Sequence, residues 1–222
     1  MRKTLLAFAL LFAAPALAQE QQQSQQQPPP AEPAAPVPEV VAPAPTNPPM
    51  TGPRLLISTS MGDITLQLDS VRAPKSVANI MRYVRKKQYD GTAFYRVAKG
   101  FVIQMGSWDA NGKGRGIIPG PVPLEANNGL RNLRGAVALG RMEAPDSASA
   151  DFFINLADNT PLDHKADESG NTTGYAVFGQ VESGMEVVDA ISIVPTGGTK
   201  GPMPSEQEPV TPIIVKKVTL LK

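Results

Sequence analysis

The stretch FYRVAKGFVIQMG, residues 94–106, is typical of two β-strands joined by a tight turn. Aromatic and aliphatic residues fill both arms, and Lys99-Gly100 marks the turn between them. A three-residue loop predicts three facing pairs, which are Ala98 with Val102, Arg96 with Gln104, and Phe94 with Gly106. This hairpin is the part of the sequence from which both the fold and the function can be predicted.

The polar residues of this hairpin are unusual for strands that otherwise look buried. In the predicted register, Arg96, Gln104 and Val102 share one face of the sheet, and Phe101 lies at its rim. A two-residue turn would instead place Arg96 opposite Ile103 and scatter the polar groups. Taken alone, the pattern favours a structural arginine that packs its stem and pairs with a carboxylate. A binding patch is the alternative.

The first 18 residues have the features of a secretory signal peptide. Arg2 and Lys3 precede a short apolar run that ends in Ala16-Leu17-Ala18, and a polar tract follows. The apolar run is too short to span a bilayer comfortably, although an uncleaved anchor is the alternative. We therefore expect an exported protein, without stable membrane insertion once the signal is cleaved.

Residues 19–53 are of low complexity and precede a domain of ordinary composition over 54–222. Seven Gln lie between positions 19 and 27, and eleven Pro lie between 28 and 53. Such a segment has little to bury, and its prolines favour the extended polyproline II conformation. We expect a disordered, semi-rigid spacer, with a docking site for a proline-binding partner as the alternative.

The pattern over 54–222 predicts a mainly β fold. About eight short strands are expected, and two segments have helical spacing, at 73–88 and 184–192. Because no regular β-α-β alternation occurs, we expect a closed antiparallel barrel with helices over its open ends. The stretches 106–123 and 163–174 are predicted to be long loops.

Composition excludes several classes of function. Removing Arg2 and Lys3 changes the formal net charge from +1 to −1, which offers little attraction to nucleic acid. Cys is absent and His164 is the only histidine, so we expect no metal and no disulfide. His164 lies in a charged stretch without the G-x-S-x-G motif of serine hydrolases, and the Gly-rich run at 112–116 lacks the following helix of a phosphate loop. No cofactor is expected.

Several motifs of the chain resemble the cyclophilin family. FYRVAKGFVIQMG is similar to the family signature F-H-R-[VI]-x-x-G-F-x-[IC]-Q-x-G, and the likeness continues over roughly residues 54 to 220. The other segments that carry it are APKSVANI, EANNGLRNLRGAVAL, SASADFFINLADN, LDH and GYAVFGQVESGMEVVDAI. The details of LDH, GYAVFG and ADN look most like the bacterial periplasmic members.

The resemblance implies a closed eight-stranded antiparallel β-barrel capped by two α-helices, and an active site on it. By position, Arg96 matches the catalytic arginine and Gln104 the amide that positions the peptide. A proline pocket is implied at five positions, which are Phe101, Val102, Phe153, Leu162 and Tyr175. Phe94, Gly140, Arg141 and Asp151 are assigned to the same substrate-binding surface. Asp151 stands where the family usually has Gln, and Pro161 where most members have an aromatic residue.

The resemblance also implies the activity, which is cis–trans isomerisation of X-Pro peptide bonds. We expect a monomer that acts on proline-containing polypeptides and assists the folding of exported proteins. Two alternatives remain, a non-catalytic chaperone that binds proline peptides in the same groove and a structural module carried on the spacer.

Overall fold

The computed structural model describes residues 45–120, 122–166 and 172–222. The signal peptide and most of the spacer predicted above lie outside these residues. The strands are β1 (Arg54–Thr59), β2 (Asp63–Leu68), β3 (Thr92–Ala98), β4 (Val102–Asp109), β5 (Ala136–Leu139), β6 (Phe152–Asn155), β7 (Lys165–Ala166), β8 (Thr172–Thr173), β9 (Val177–Ser183) and β10 (Ile213–Leu221). The helices are α1 (Pro74–Arg85) and α2 (Met185–Ser192), and two single 3₁₀ turns occupy Thr160–Leu162 and Ser205–Gln207.

Eight of these strands close into an antiparallel barrel, as predicted. The order around the barrel is β1-β10-β3-β4-β6-β5-β9-β2. Side chains alternate across each strand, so that residues such as Leu55, Ile57 and Ile64 point inward and are almost fully buried. Closure leaves no unpaired edge in the barrel, which removes the usual hazard of edge-to-edge association. The two remaining strands, β7 and β8, pair within the predicted loop at 163–174.

The helices form where the sequence changes to helical spacing. In α1, Pro74 lies at the start, where its missing N–H is not needed, and the apolar residues Val77, Ile80, Met81 and Val84 recur at helical spacing and are buried. In α2, Val188 and Ile191 are fully buried, while Met185 is partly buried against the same core. Among the described residues, no helix is long and apolar enough to cross a membrane.

A row of aromatic rings crosses the core beneath α1. Tyr83 and Tyr89 have ring centroids 5.7 Å apart, and Tyr89 meets Phe152 edge-on at 5.7 Å. The Tyr89 hydroxyl donates to the carbonyl oxygen of Ala150 at 2.9 Å, so its polar end is satisfied inside the core. These contacts connect α1 to the segment that leads into β6.

Residues 47–53 lie against the barrel as an extended strap. The Asn47 side chain exchanges two hydrogen bonds with the backbone of Arg131, at 2.9 and 2.8 Å. The carbonyl oxygens of Thr51 and Pro53 accept from the backbone N–H groups of Ser70 and Leu68. The strap therefore adds hydrogen bonds beyond the first strand of the barrel.

The strap yields a prediction about where the folded unit begins. We expect a chain that starts at residue 45 to unfold at the same temperature as the chain that starts at residue 19, because the Gln/Pro-rich segment buries little. A chain that starts at Arg54 should unfold several degrees lower, since it loses the strap's bonds, each worth about 0.5–1.5 kcal/mol. Thermal unfolding followed by circular dichroism compares the three chains, and equal midpoints for residues 45 and 54 would show that the strap adds no stability.

Candidate active site

The β3–β4 hairpin has the predicted register next to its turn. Arg96 pairs with Gln104, Val97 with Ile103, and Ala98 with Val102. The Phe101 N–H donates to the carbonyl oxygen of Ala98 at 3.0 Å and closes the turn. The hairpin therefore places the cation and the amide directly opposite each other.

A β-bulge follows immediately and changes the rest of the hairpin. The register shifts between Phe94 and Arg96, so that Phe94 pairs with Met105 and not with Gly106. Because side chains along a strand alternate between the two faces of the sheet, the extra residue moves the side chains that precede it to the opposite face. Phe94 is only 1% exposed and belongs to the core of the barrel. The Phe94 side chain therefore lies in the barrel core and does not line the groove, although the resemblance assigned it to the substrate-binding surface.

A groove with a volume of about 280 Å³ lies on the outside of the barrel. It is lined by Arg96, Phe101, Val102, Gln104, Gly140, Arg141, Phe153, Leu162, Tyr175 and Met203. Nine of these ten residues were predicted from the sequence, and Met203 was not. The structure thus brings the predicted site residues together, with the exceptions of Phe94 and Asp151.

The register of three neighbouring strands explains how the groove forms. Gln104 pairs with Arg96 on one side and with Phe153 on the other, and Phe153 in turn pairs with Ala138. One row across the barrel therefore presents a cation, an amide, an aromatic ring and a small residue. Ala138 has no bulk to fill the space beside the Phe153 ring, which leaves room for an apolar ligand group.

The floor of the groove is a small apolar cluster separate from the barrel core. It contains Val102, Leu130, Ala136, Ala138, Phe153 and Val177, with Met50, Ala98, Phe101, Leu162 and Tyr175 packed against it. The rings of Phe153 and Tyr175 meet edge-on with centroids 5.5 Å apart, a favourable aromatic geometry. Met50 belongs to the strap, so the strap also supports the groove from below.

Arg141 braces one side of the groove. Its Nε donates to the carbonyl oxygen of Gly174 at 2.9 Å, and its Nη1 donates to the carbonyl oxygens of Met142 and Glu143 at 2.9 Å. Its guanidinium carbon also lies 5.0 Å from the centroid of the Tyr175 ring, within the range of a cation–π contact. These bonds fix the loop after β5 and hold Tyr175 in the wall of the groove.

Arg96 is held by neutral amides. Its Nε donates to Gln207 Oε1 at 2.6 Å, and its Nη1 donates to Gln104 Oε1 at 3.1 Å. Among the described residues, none of the ion pairs includes Arg96. The structural reading of this arginine predicted a carboxylate partner, and the described part of the chain supplies two amide oxygens instead. The guanidinium has five N–H donors, so these two bonds leave the others for a ligand.

Gln207 is a contact that sequence reasoning missed. It ends the short 3₁₀ turn Ser205–Gln207 and lies 111 positions from Arg96 in the chain. No motif around it predicts a side chain aimed at β3, because a loop rich in Gly and Pro has no regular spacing. Met203 lies on the same loop and lines the groove, and it was not predicted for the same reason.

Asp151 lies behind the groove and not in it. Its Oδ1 accepts hydrogen bonds from the Ser107 N–H at 2.9 Å and from the Tyr95 hydroxyl at 3.0 Å, and Oδ2 accepts from the Ser107 hydroxyl at 2.8 Å. Gly106 (φ +145°) permits this approach, since a Cβ there would lie 2.6 Å from the Asp151 backbone. Asp151 therefore does not line the groove, although the resemblance assigned it to the substrate-binding surface, and its contacts reach Gln104 through Tyr95.

The carboxylate sets the direction of a chain of hydrogen bonds. An ionised Asp151 can only accept, so the Tyr95 hydroxyl donates to it and its oxygen accepts from Gln104 Nε2 at 2.6 Å. Burial, followed by the nearby Asp151 charge, raises the pKa of Tyr95 far above its ordinary value, so the hydroxyl keeps its proton. With Nε2 committed to Tyr95, the Gln104 oxygen faces Arg96.

Comparisons with known proteins agree with this fold. Residues 54–220 match the family of the cyclophilin type peptidyl-prolyl cis-trans isomerase/CLD. Peptidyl-prolyl cis-trans isomerase A of Dickeya dadantii is 44% identical over 172 residues, covering 78% of this chain and 86% of that protein. Peptidyl-prolyl cis-trans isomerase B of Escherichia coli is 41% identical over 164 residues, covering 73% and 96%.

A solved structure shows the same fold. A cyclophilin type peptidyl-prolyl cis-trans isomerase of Cryptosporidium parvum, determined in the presence of the dipeptide Ala-Pro, superimposes with a TM-score of 0.64 at 24% identity. The match covers 76% of this chain and 99% of that one. The chain belongs to the cyclophilin family, as its motifs predicted. It is an enzyme of that type, a peptidyl-prolyl cis–trans isomerase.

The buried Asp151 generates a pH-dependent prediction. Burial raises the pKa of its carboxyl, against the lowering effect of the Ser107 and Tyr95 hydrogen bonds. A carboxyl whose pKa is raised on folding favours the folded state when protonated, and this contribution is lost as pH rises through its folded-state pKa. In Asp151→Asn, the amide oxygen can still accept from Ser107 and Tyr95, and the titrating group is gone. We therefore expect the stability of the variant relative to the parent to increase from about pH 4 upward.

Urea unfolding of both proteins between about pH 4 and pH 8 measures this difference. Asp146→Asn, at an exposed aspartate, is the matched control because it removes the same group from the surface. A difference between Asp151→Asn and the parent that stays constant over this pH range would contradict the argument.

Proposed function

We propose that Arg96 is the catalytic residue of this isomerase and that the groove holds the proline of the substrate. The observation that carries the proposal is a guanidinium fixed by two neutral amides beside an apolar pocket. The pocket offers Phe101, Val102, Phe153, Leu162 and Tyr175 to the proline ring. Gln104 contributes by holding Arg96, and its second Nε2 hydrogen is left to meet the bound peptide.

The chemistry of the X-Pro bond explains why these groups suffice. Amide resonance makes rotation cost about 18–20 kcal/mol, so uncatalysed exchange takes tens of seconds or longer. At the twisted transition state the resonance is lost and the proline nitrogen regains its lone pair. A fixed N–H of Arg96 can donate to that nitrogen, and the planar ground state offers no such acceptor. The bond therefore stabilises the transition state selectively.

The reaction requires neither a nucleophile nor a bound ion. Rotation about the peptide bond breaks no covalent bond, and an arginine stays protonated throughout. In the described part of the chain, no group of three or more His, Cys, Asp or Glu side chains is placed to hold a metal. The apolar pocket holds the ring in place while the preceding carbonyl swings.

The first test replaces the guanidinium. We expect Arg96→Ala to lower kcat/KM on a short proline peptide by about tenfold or more, with about 1.4 kcal/mol of transition-state stabilisation lost per decade. Arg96→Lys should recover only part of the rate, because an ammonium lacks the rigid fork that Gln104 and Gln207 hold. A protease-coupled assay or NMR exchange spectroscopy measures the rate.

Arg85→Ala is the matched control, since Arg85 is an exposed arginine of α1 and the substitution makes the same change of charge. If Arg96→Ala isomerised the peptide at the parental rate, the role of Arg96 would be wrong. If the parent bound proline peptides without accelerating their exchange, the chaperone alternative would be favoured instead.

We further propose that the enzyme acts in the periplasm, as a monomer, on exported polypeptides. The support is the basic start, short apolar run and small residues of positions 1–18, which lie outside the described residues. Proline isomerisation is slow enough to limit folding, so a compartment where exported chains fold is a suitable place for such an enzyme.

Expression of the full chain in a Gram-negative host tests the export. We expect the protein in the periplasmic fraction with Gln19 as its first residue. Leu10→Arg should leave an uncleaved precursor in the cytoplasm, because a charge in the apolar run opposes its insertion. Gln25→Arg is the matched control outside that run. An uncleaved parent chain held in the membrane fraction would contradict cleavage and favour an anchor.

A further inference from the structure

A second cavity lies near the groove, and Tyr95 of the hydrogen-bond network described above is among its lining residues. It has a volume of about 220 Å³ and is formed between the end of β4 and the segment that leads from α2 to β10. Its polar lining includes Asp109, Lys200 and Glu208, and its apolar lining includes Pro209 and Pro212. The start of β3 closes it on the inner side.

Glu208 is the unusual member of this lining. The residue is only 6% exposed, and its Oε1 accepts the Lys200 N–H at 2.6 Å. Its Oε2 is buried and has no hydrogen-bond partner, and none of the ion pairs in the described ranges includes Glu208. A buried carboxylate oxygen without a partner is costly, so its retention calls for an explanation.

Glycines make the room around this carboxylate. A Cβ at Gly198 would lie 2.8 Å from Glu208 Cγ, and a Cβ at Gly201 would lie 3.1 Å from Oε2. Across the cavity, a Cβ at Gly112 (φ +72°) would overlap the Lys200 carbonyl oxygen at 1.5 Å. The two loops therefore meet through backbone alone, and the space next to Oε2 depends on residues without side chains.

The charge of the lining favours a cation. Two acidic residues, Asp109 and Glu208, and one basic residue, Lys200, line the cavity. The Asp109 carboxylate accepts the N–H groups of Asn111 and Lys113, and these bonds lower its pKa below the ordinary value. A positively charged donor that enters the cavity would supply the missing partner of Glu208 Oε2.

The cavity is close enough to the groove to be reached by the same polypeptide. Gln207 accepts a hydrogen bond from Arg96 in the groove, and the next residue, Glu208, lines the cavity. Gly201 also lines the cavity, and Met203, two positions later, lines the groove. Two residues span about 7 Å at most. An extended peptide advances about 3.3 Å per residue, so a side chain a few positions from the proline can reach the cavity.

We propose that this cavity binds a basic side chain, a lysine or arginine, of the polypeptide whose proline occupies the groove. The cationic nitrogen donates to Glu208 Oε2, and the aliphatic stem lies against Pro209 and Pro212. This inference rests on the proposed groove and gives the isomerase a preference for proline segments with a nearby positive charge.

A peptide series tests the proposal at low ionic strength. Each alanine-rich peptide carries one proline and one lysine, placed two to five positions before or after it, and a twin carries Nε-acetyl-lysine. We expect the parent to bind the lysine peptide at least about fivefold more tightly than its twin at one or more positions, and added salt to reduce the ratio. Calorimetric titration measures both affinities.

Two substitutions assign the effect to the cavity. In Glu208→Gln the ratio should fall to about one, while Oε1 still accepts the Lys200 N–H. Glu206→Gln is the matched control, because Glu206 is exposed on the same turn and its loss changes the net charge equally. Ala110→Leu narrows the cavity without changing any charge, and the ratio should fall there too, which keeps the test decisive if Glu208→Gln fails to fold.

Other outcomes overturn the proposal. Equal affinities of the parent for the twins at all positions would show that Glu208 serves only its own loop. If the affinity ratio of the twins were kept in Glu208→Gln, or lost equally in Glu206→Gln, the lysine would be attracted by the overall charge of the protein surface and not by Glu208. If neither the lysine peptide nor its acetylated twin bound the parent protein, the result would count against the proposed groove and not against the cavity. In that case the cavity is tested alone by titrating N-acetyl-lysine methylamide into the protein and following the NMR signals of the Gly198 and Gly201 backbone amides. Unchanged signals would refute the proposed binding of a basic side chain in the cavity.

Discussion

The site depends on one irregularity of backbone, the bulge between Phe94 and Arg96. In a regular strand, Tyr95 and Arg96 would point to opposite faces of the sheet. Because the bulge inserts an extra residue, both side chains reach the same partner, and Gln104 donates to Tyr95 and accepts from Arg96. The same shift turns Phe94 into the core, where it is almost fully buried. A single extra residue thus builds the polar wall of the groove and fills the barrel beneath it.

The Gln104 amide is oriented from both ends. The Arg96 guanidinium can only donate, so it requires the amide oxygen, and an ionised Asp151 can only accept, which orders the donors from Gln104 through Tyr95 to Asp151. Ser107 satisfies the rest of the carboxylate through its N–H and hydroxyl, and Gly106 makes the approach possible. The family usually has Gln at the position of Asp151, according to the sequence resemblance. In this chain the carboxylate acts at a distance, by orienting groups that do reach the groove.

The sequence alone predicts most of the fold and most of the residues that line the groove. Strand alternation and the change to helical spacing indicate the barrel and the inward residues of α1, since these are local patterns with a fixed period. The Arg96–Gln104 pairing follows from the turn at Lys99-Gly100, and the family resemblance supplies Phe153, Leu162 and Tyr175. The placement of Phe94 could not be predicted, because a bulge leaves no mark in the order of residues. Gln207 was missed because a loop contact over 111 positions has no periodicity.

The neutrality of the partners of Arg96 is the last step in understanding how the site is built. A carboxylate at Gln104 or Gln207 would also hold the guanidinium, but it would offset its positive charge where the proline nitrogen regains its lone pair. The two amide oxygens fix the guanidinium through hydrogen bonds and leave its charge largely intact. Asp151, the buried carboxylate of this network, is separated from Arg96 by both Tyr95 and Gln104. The order of the network therefore provides positioning near Arg96 and keeps the compensating negative charge farther away, which is the arrangement that the proposed electrostatic stabilisation of the twisted peptide bond requires.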